Sequence, residues 1–370
     1  MTNSASISDF VKELYKTSGS VSLHAPQIGQ EERVAVNDCL DSGFVSTAGA
    51  YVAKVEKQLA QYTKSAQVVA VVNGTAALHA SLILVGVRPG DAVIMQALTF
   101  VATANAVSHA GASPEFVDVD PTTLSLCPQK LRQYLVGRKA KSRIGACVLM
   151  HTFGHPGKIR ELQIVCEEFN IPFIEDAAES LGSFYNGQHT GTFGVVGTLS
   201  FNGNKVATAG GGGALMFNDV ALAKRAHHIT TTAKQSHAWE FYHDEVGWNY
   251  RMPNLNASLL QAQLYKLPVV LKRKREIAHA YREFFHKSKL RFIDEPANCE
   301  SNFWLNAIVC EDRKEREEIL KATNANAVQT RPIWTPMHKL PMYQECEHDD
   351  LSVTNDMYAR VVCLPSGVIA

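Results

Sequence analysis

Short apolar runs alternate with segments of helical periodicity through the first half of the chain. The apolar runs, each five to eight residues long, are typical of buried strands, and the segments between them carry the apolar spacing of helices. The predicted strands cover 68–72, 92–96, 113–119, 144–151 and 171–176. The predicted helices cover 73–87, 100–112 and 158–170, and the turn RPGD precedes the second strand.

This alternation predicts an α/β fold. Strands that alternate with helices form a mainly parallel sheet covered by helices on both faces. In such sheets a ligand binds at the carboxyl ends of the strands. We therefore expect functional residues directly after the predicted strands.

The pattern changes near residue 255. A long, basic, amphipathic helix is predicted from 266, followed by a strand at 302–310, a charged helix at 311–324 and a proline-rich loop. We predict a large domain over residues 1–255 and a smaller α+β domain over 256–370.

Composition narrows the class of partner. The chain has 370 residues, and its 36 Lys plus Arg balance its 36 Asp plus Glu, so no net field favours nucleic acid or an anionic membrane. We see no apolar run of bilayer length and no secretory signal at the start. The eight cysteines form no C-x-x-C pair, which predicts reduced thiols, a cytoplasmic location and no zinc site.

Two stretches after strands could bind a ligand. NGTAAL (73–78) places Gly74 and Thr75 at a helix N-terminus, where backbone N–H groups bind phosphate, although an ordinary helix cap explains the same residues. Phe100 follows the second strand, where it could stack on a planar ring or simply fill the core.

Two further stretches carry charge. Asp176 ends an apolar strand, where an unpaired carboxylate is costly, so it is either a helix cap or the partner of a cation. SFNGNKVATAGGGG (200–213) sets Ser200 and Lys205 before four glycines. A lysine in a suitable environment loses its proton and forms an imine with an aldehyde. Together these stretches suggest a planar aromatic aldehyde with a phosphate arm, which is pyridoxal 5′-phosphate.

The same stretches carry a family resemblance. The ordered set NGTAAL, TFVATANAV, VDVD, IEDAAES, SFNGNK, GGGG, GWNYRMPNLNAS and RPIWTPMH resembles the DegT/StrS family of nucleotide-sugar aminotransferases over nearly the whole chain. Within the family, these stretches are most similar to those of enzymes that aminate carbon 4 of UDP-linked 4-keto-6-deoxy amino sugars, in legionaminic acid and bacillosamine pathways. The resemblance implies the pyridoxal phosphate fold type I, similar to aspartate aminotransferase. It also implies that relatives continue into a final helix, which we expect the smaller domain to lack.

The resemblance implies a role for each cofactor-site residue. Lys205 would be the Schiff-base lysine, and Asp176 would pair with the pyridinium nitrogen so that the ring acts as an electron sink. Phe100 would lie against the ring, and Glu179, where many members have Gln, would lie near the ring hydroxyl. The residues implied to hold the phosphate are Gly74, Thr75 and Ser200.

It also implies partners. Asn249 would reach the phosphate from a second subunit, which makes the protein a homodimer with shared active sites. Arg331 and His338 would lie near the sugar nucleotide, and glutamate would donate the amino group. Gly211 stands where many relatives have an acid, and we expect the four glycines to let backbone pack under the cofactor.

Other readings of the sequence remain open. GTFGVVG (191–197) suggests a nicotinamide oxidoreductase as an alternative. Its glycines are spaced G-x-x-G-x-x-G instead of the G-x-G-x-x-G of dinucleotide-binding loops, and the run opens no helix after a first strand. A 3-keto sugar substrate and a non-catalytic sugar-binding or regulatory protein on the same fold are further alternatives. Four clustered histidines match no zinc spacing, and we expect no metal: His227, His228, His237 and His243.

Overall fold

The computed structural model describes residues 4–139 and 142–368. Its helices are α1 Ser4–Leu14, α2 Gln30–Asp41, α3 Ala50–Thr63, α4 Gly74–Leu84, α5 Val101–His109, α6 Pro128–Gly137, α7 Ile159–Glu168, α8 Val220–Thr230, α9 Asn254–Phe285, α10 Arg313–Ala325 and α11 Ser352–Arg360. Short 3-10 turns cover Thr152–Gly154 and Met337–Lys339.

The strands follow the same numbering along the chain. They are β1 Gln67–Val71, β2 Ala92–Gln96, β3 Ser113–Val117, β4 Ile144–Met150, β5 Phe173–Asp176, β6 Phe184–Tyr185, β7 Gln188–His189, β8 Val196–Ser200, β9 Gly213–Phe217, β10 Arg291–Phe292, β11 Cys299–Glu300, β12 Asn306–Val309, β13 Arg331–Pro332 and β14 Val361–Leu364.

A seven-stranded sheet forms the centre of the molecule. Its strand order is β1-β9-β8-β5-β4-β2-β3, and β9 runs antiparallel to both of its neighbours while the other strands share one direction. The α/β class with a mainly parallel sheet is therefore confirmed. Because β9 is reversed, it starts at the edge where β1 and β8 end.

Helix α4 illustrates why the first half folds as its pattern predicts. The Asn73 side chain caps the helix by accepting from the Ala76 amide at 2.7 Å. Nearly the whole helix is apolar, and residues 76–82 are all buried. It packs between the sheet and the neighbouring helices α5 and α8.

The smaller sheet lies further along the chain. Its order is β10-β12-β14-β13, with antiparallel pairing throughout. Its apolar core includes Ile308 and Val362, together with Tyr281 of α9 and Ile7 of α1. A domain boundary at residue 255 stays a prediction, and α1, from the start of the chain, contributes to this second core.

Two predictions for the second half are wrong. The long helix predicted from 266 is present as α9, but it begins earlier, at Asn254, so that Pro268 lies inside it. The segment after α10, predicted as loop, contains β13, α11 and β14. Strand β14 pairs with β12 and β13, which are distant from it in sequence, and local periodicity does not reveal such pairing. In the part of the chain that the structure describes, no helix is both long and apolar enough to cross a bilayer.

Candidate active site

The carboxyl ends of the central strands enclose a cavity of about 260 Å³. Such an edge is where open α/β sheets bind their ligands. Seven of the ten predicted site residues line it: Gly74, Thr75, Phe100, Asp176, Glu179, Ser200 and Lys205. Segments that are distant in sequence therefore meet at one place.

Lys205 supplies the amine of the site. It follows β8 in a tight turn, in which its backbone N–H donates to the Asn202 carbonyl at 3.0 Å. Its side chain is only 12% exposed, and its Nζ lies 3.7 Å from Glu179 Oε1. The same Nζ lies 4.0 Å from the centre of the Trp304 ring. The amine is therefore held between a carboxyl group and an aromatic face.

Asp176 ends β5 and is buried at the bottom of the cavity. Its Oδ2 accepts from Thr103 Oγ1 at 2.8 Å, and its Oδ1 accepts from the Ala178 amide at 3.2 Å. Burial raises the pKa of Asp176, while these donors and the Lys205 charge oppose the rise. A cationic ligand here would stabilise the carboxylate form.

Glu179 lies one turn beyond Asp176 and faces the same cavity. Its Oε2 accepts from the Phe153 amide at 3.0 Å. Burial raises the pKa of Glu179 to about 7, with Lys205 lowering it and Asp176 raising it. This carboxyl group can therefore gain or lose a proton near neutral pH.

The far end of the cavity is built from α4 and the end of β8. The first turn of a helix leaves backbone N–H groups without intrahelical acceptors, and Gly74 and Thr75 occupy that turn. A Cβ on Gly74 would lie 2.9 Å from Ser200 Cβ, so a side chain there would fill the space between them. Amides, a hydroxyl group and a helix N-terminus together make an anion site.

Two residues of the glycine run, Gly211 and Gly212, line the cavity, and their packing under the cofactor stays a prediction. Gly213 pairs with both Val71 and Ser200, and a Cβ on it would lie 2.4 Å from the Asn73 carbonyl oxygen. Gly213 thus lets the loop after β1 approach β9 closely. At Gly211 the nearest atom to an added Cβ is 3.9 Å away, so an acidic side chain would fit. The close approach requires Gly213, and Gly211 is not needed for it.

Phe100 lies at the mouth of the cavity. It is 49% exposed, and its ring lies 6.5 Å from that of Trp334 in an edge-to-face arrangement. The alternative of a core phenylalanine is therefore wrong. An exposed ring at this place is available to a planar ligand.

The sequence reasoning missed several cavity residues. Thr103, which binds Asp176, lies in the quoted TFVATANAV stretch but carries no signal of its own. Trp304 reaches the cavity from the segment before β12, and Trp334 from RPIWTPMH. Only their position after folding links these side chains to Lys205.

The other three predicted residues do not line this cavity. Asn249 is exposed and pairs with Thr231 in an isolated bridge. Arg331 is exposed on β13. His338 is half-buried beside His348, with 5.6 Å between the ring centres. Their roles toward a second subunit or a sugar nucleotide stay predictions.

Two features bear on the alternatives. The amides of Gly191, Phe193 and Gly194 all donate to the buried Glu175 carboxylate, so the GTFGVVG run binds a side chain of the protein itself. This is unlike a glycine-rich loop whose amides cradle a dinucleotide.

The histidine cluster lies on the surface. His228 Nε2 lies 2.7 Å from Asp244 Oδ1, and Glu245, which completes a group that could hold a metal ion, pairs with Arg225. An arginine cation therefore already neutralises one of the three ligands.

Comparison with known proteins identifies the family. The pattern of the DegT/DnrJ/EryC1/StrS aminotransferase family matches residues 26–368. The chain belongs to this family. The comparisons thus confirm, at the level of the family, the prediction of a pyridoxal phosphate-dependent sugar aminotransferase.

Individual relatives cover almost the whole chain. EpsN of Bacillus subtilis (strain 168), named as a candidate pyridoxal phosphate-dependent aminotransferase, is 35% identical over 93% of this chain and 90% of its own. GDP-perosamine synthase of Escherichia coli O157:H7 is 34% identical, over 94% and 93%. The crystal structure of the aminotransferase TlmJ from Streptoalloteichus hindustanus is 30% identical, with a TM-score of 0.87 over 94% of each chain.

The cavity fits the cofactor of the family, pyridoxal 5′-phosphate. The buried Asp176 carboxylate has the charge that a protonated ring nitrogen needs. The N-terminus of α4, kept open by Gly74, suits a phosphate group. Lys205 brings an amine to the same cavity, so each part of the cofactor has a counterpart.

Proposed function

We propose that the protein transfers an amino group from glutamate to carbon 4 of a UDP-linked 4-keto-6-deoxy amino sugar, in the biosynthesis of surface glycans. The observation that carries the proposal is one cavity that holds the Lys205 amine, the buried Asp176 carboxylate and the N-terminus of α4. When bound, the cofactor carries the amino group and acts as an electron sink.

The protein's own groups would then act as follows. Asp176, oriented by Thr103, holds the ring nitrogen in its protonated form. Lys205 Nζ would move the proton from Cα of the donor amino acid to the aldehyde carbon of the cofactor in the first half of the cycle, and a proton from that carbon to carbon 4 of the sugar in the second half. Gly74, Thr75 and Ser200 hold the phosphate, and Phe100 covers the ring.

The proposed binding of the sugar nucleotide and the proposed dimer involve the three predicted residues that lie outside the cavity. We place Arg331 and His338 near the sugar nucleotide, and Asn249 near the phosphate of a second subunit in a homodimer. The exposure of Asn249 supports this role, since a partner chain can reach it. The eight free cysteines are compatible with a reducing cytoplasm.

A GDP-linked 4-keto sugar is the second candidate substrate. The 34% identity to a protein named GDP-perosamine synthase is the observation that supports this second candidate. A 3-keto sugar nucleotide is a weaker alternative. Binding contacts of a few kcal/mol separate such substrates, so the assay has to compare them directly.

The test is an amination assay on the purified protein loaded with cofactor. Glutamate and a panel of UDP- and GDP-linked 4-keto and 3-keto sugars are supplied, and products are followed by mass. We expect one 4-amino product, formed by the wild type and by Lys224→Ala, an exposed lysine on α8, but not by Lys205→Ala. No amination of any sugar, with the cofactor bound, would favour the non-catalytic alternative.

Shared active sites have a separate test. Lys205→Ala and Asn249→Ala chains are each expected to be inactive, and mixing them should restore part of the activity in heterodimers. Absence of recovery, with heterodimers verified by mass, would contradict a role of Asn249 across the interface.

A further inference from the structure

A fully buried lysine lies behind the active site. Lys274, on α9, is 1% exposed. Its Nζ is within hydrogen-bond distance of the Ser366 carbonyl at 2.6 Å, the Trp304 carbonyl at 3.2 Å and His24 Nε2 at 3.1 Å. Among the described residues, no carboxylate forms an ion pair with it. We call these four residues, His24, Lys274, Trp304 and Ser366, the lysine seam.

The seam is hydrogen-bonded in either protonation state. An ammonium donates to both carbonyls and to His24, whereas a neutral amine donates to the carbonyls and accepts from His24 Nε2–H. Burial lowers the pKa of Lys274 to about 7, and burial also lowers the pKa of His24. His24 Nδ1 is buried without a partner in the described structure, which favours the tautomer that leaves Nδ1 unprotonated.

The seam connects to Lys205 through Trp304. Lys274 binds the backbone carbonyl of Trp304, while the indole Nε1 of Trp304 donates to the Asn204 carbonyl at 2.7 Å. The face of the same indole lies 4.0 Å from Lys205 Nζ. The ring that contacts the Lys205 amine is therefore fixed at its backbone by Lys274 and at its edge by Asn204.

His24 of the seam also lines a second cavity, together with Lys205. It measures about 360 Å³ and is lined by Lys205 and His24, with Gln263 and Lys266 of α9 on its wall. Lys266 is paired with Glu31 and Glu32. The charges of Lys274 and Lys205 both act on His24.

We propose that Lys274 is a positioning residue, which holds Trp304 so that the indole face stays against the Lys205 amine. The proposal rests on the proposed function only in assigning Lys205 as the amine that captures the cofactor. A lysine with a merely structural role would stabilise the fold equally whether or not the indole is present.

The test measures how fast the apo-protein captures pyridoxal phosphate, with the covalent Lys205 adduct trapped by borohydride and quantified by mass. Lys274→Met should change the rate of capture by about 2- to 30-fold, because the indole face is no longer held against the Lys205 amine; this range corresponds to the free energy of a cation–π contact. Lys272→Met, at an exposed position on the same helix, should leave the rate unchanged.

The deciding experiment is a double-mutant cycle with Trp304→Leu, which removes the indole and keeps the backbone carbonyl. If Lys274 acts through the indole, Lys274→Met has little further effect in the Trp304→Leu background. Equal, additive effects in both backgrounds would overturn the proposal.

Two controls keep the outcome clear. If Lys274→Met does not fold by circular dichroism, Lys274→Gln, whose amide can donate to two carbonyls, takes its place in the same cycle. Because capture requires no sugar, a wild type that captures the cofactor but aminates nothing would contradict the proposed function and leave this test intact.

Discussion

The buried ionisable groups on the two sides of Lys205, in the cavity and in the lysine seam, have different surroundings. On the cavity side, the amine faces Glu179 directly, and the charge of the amine also acts on Asp176. On the seam side, the described residues that bind Lys274 Nζ offer two carbonyl groups and an imidazole. Ionisable groups of opposite charge type meet on the cavity side, whereas the buried Lys274 amine meets dipoles on the seam side.

We infer from this difference that the cavity side takes part in the cofactor chemistry, whereas the seam side supports the structure around it. The carboxyl groups of the cavity have raised pKa values because they are buried, so a bound cation changes their protonation. The buried lysine has a lowered pKa for the same reason, and no ligand is needed to satisfy its hydrogen bonds. Substitutions on the cavity side should therefore affect cofactor chemistry most strongly.

The largest effect should come from Asp176→Asn. Removing the charge that we propose faces the cofactor ring should lower the rate of amine transfer by about 100- to 1,000-fold, as loss of one preorganised electrostatic contact does. Steady-state assays with the accepted sugar measure this, and Asp41→Asn, exposed at the end of α2, is the control. A rate within fivefold of wild type, which is a change of about 1 kcal/mol in activation free energy, would contradict the contrast between the two sides.

Glu179→Gln should change how stability depends on pH in the apo-protein. The carboxyl titrates near 4.5 in the unfolded chain and at about 7 in the folded one, so the folded state binds more protons between these values. Wild-type stability should therefore fall relative to the variant as pH rises from about 4.5 to about 7, by at most about 3 kcal/mol.

Denaturant unfolding at several pH values measures this difference. Glu161→Gln, at an exposed position on α7, is the control variant. A stability difference between wild type and Glu179→Gln that does not vary with pH would contradict the raised pKa of Glu179.

The smallest predicted effect is a difference in stability between the variants Gly213→Ala and Gly211→Ala. Gly213→Ala places a Cβ 2.4 Å from the Asn73 carbonyl oxygen and should cost about 1–3 kcal/mol of stability, as overpacking does. Gly211→Ala meets nothing closer than 3.9 Å and should cost less than about 0.5 kcal/mol. Thermal unfolding of the two variants compares them, and equal losses would contradict the assigned role of Gly213.

Much of the cavity could be predicted because strand ends are local features. Asp176 and Ser200 each end a strand of the central sheet, and parallel strands bring their carboxyl ends to one edge. Lys205 follows the second of these strands within a few residues. The strand that ends at Asp176 was predicted but β8 was not, so Ser200 and Lys205 were assigned to the site from the SFNGNK stretch and the family resemblance that it carries.

The rest depends on contacts between distant segments. Nothing in the pattern near Trp304 indicates that its ring meets Lys205, or that Lys274 holds its carbonyl. The reversed strand β9 and the strand β14 pair with segments far away in sequence. Such pairings are set by packing of the whole fold, which periodicity within one segment does not encode.

The central claim is that Lys205 is the amine that binds the cofactor. The most direct measurement is borohydride reduction of the protein incubated with pyridoxal phosphate, followed by peptide mass mapping. The account predicts one cofactor-derived mass, on the peptide that contains Lys205, and none on that peptide in Lys205→Ala. A modification spread over exposed lysines, with the Lys205 peptide unmodified, would contradict it.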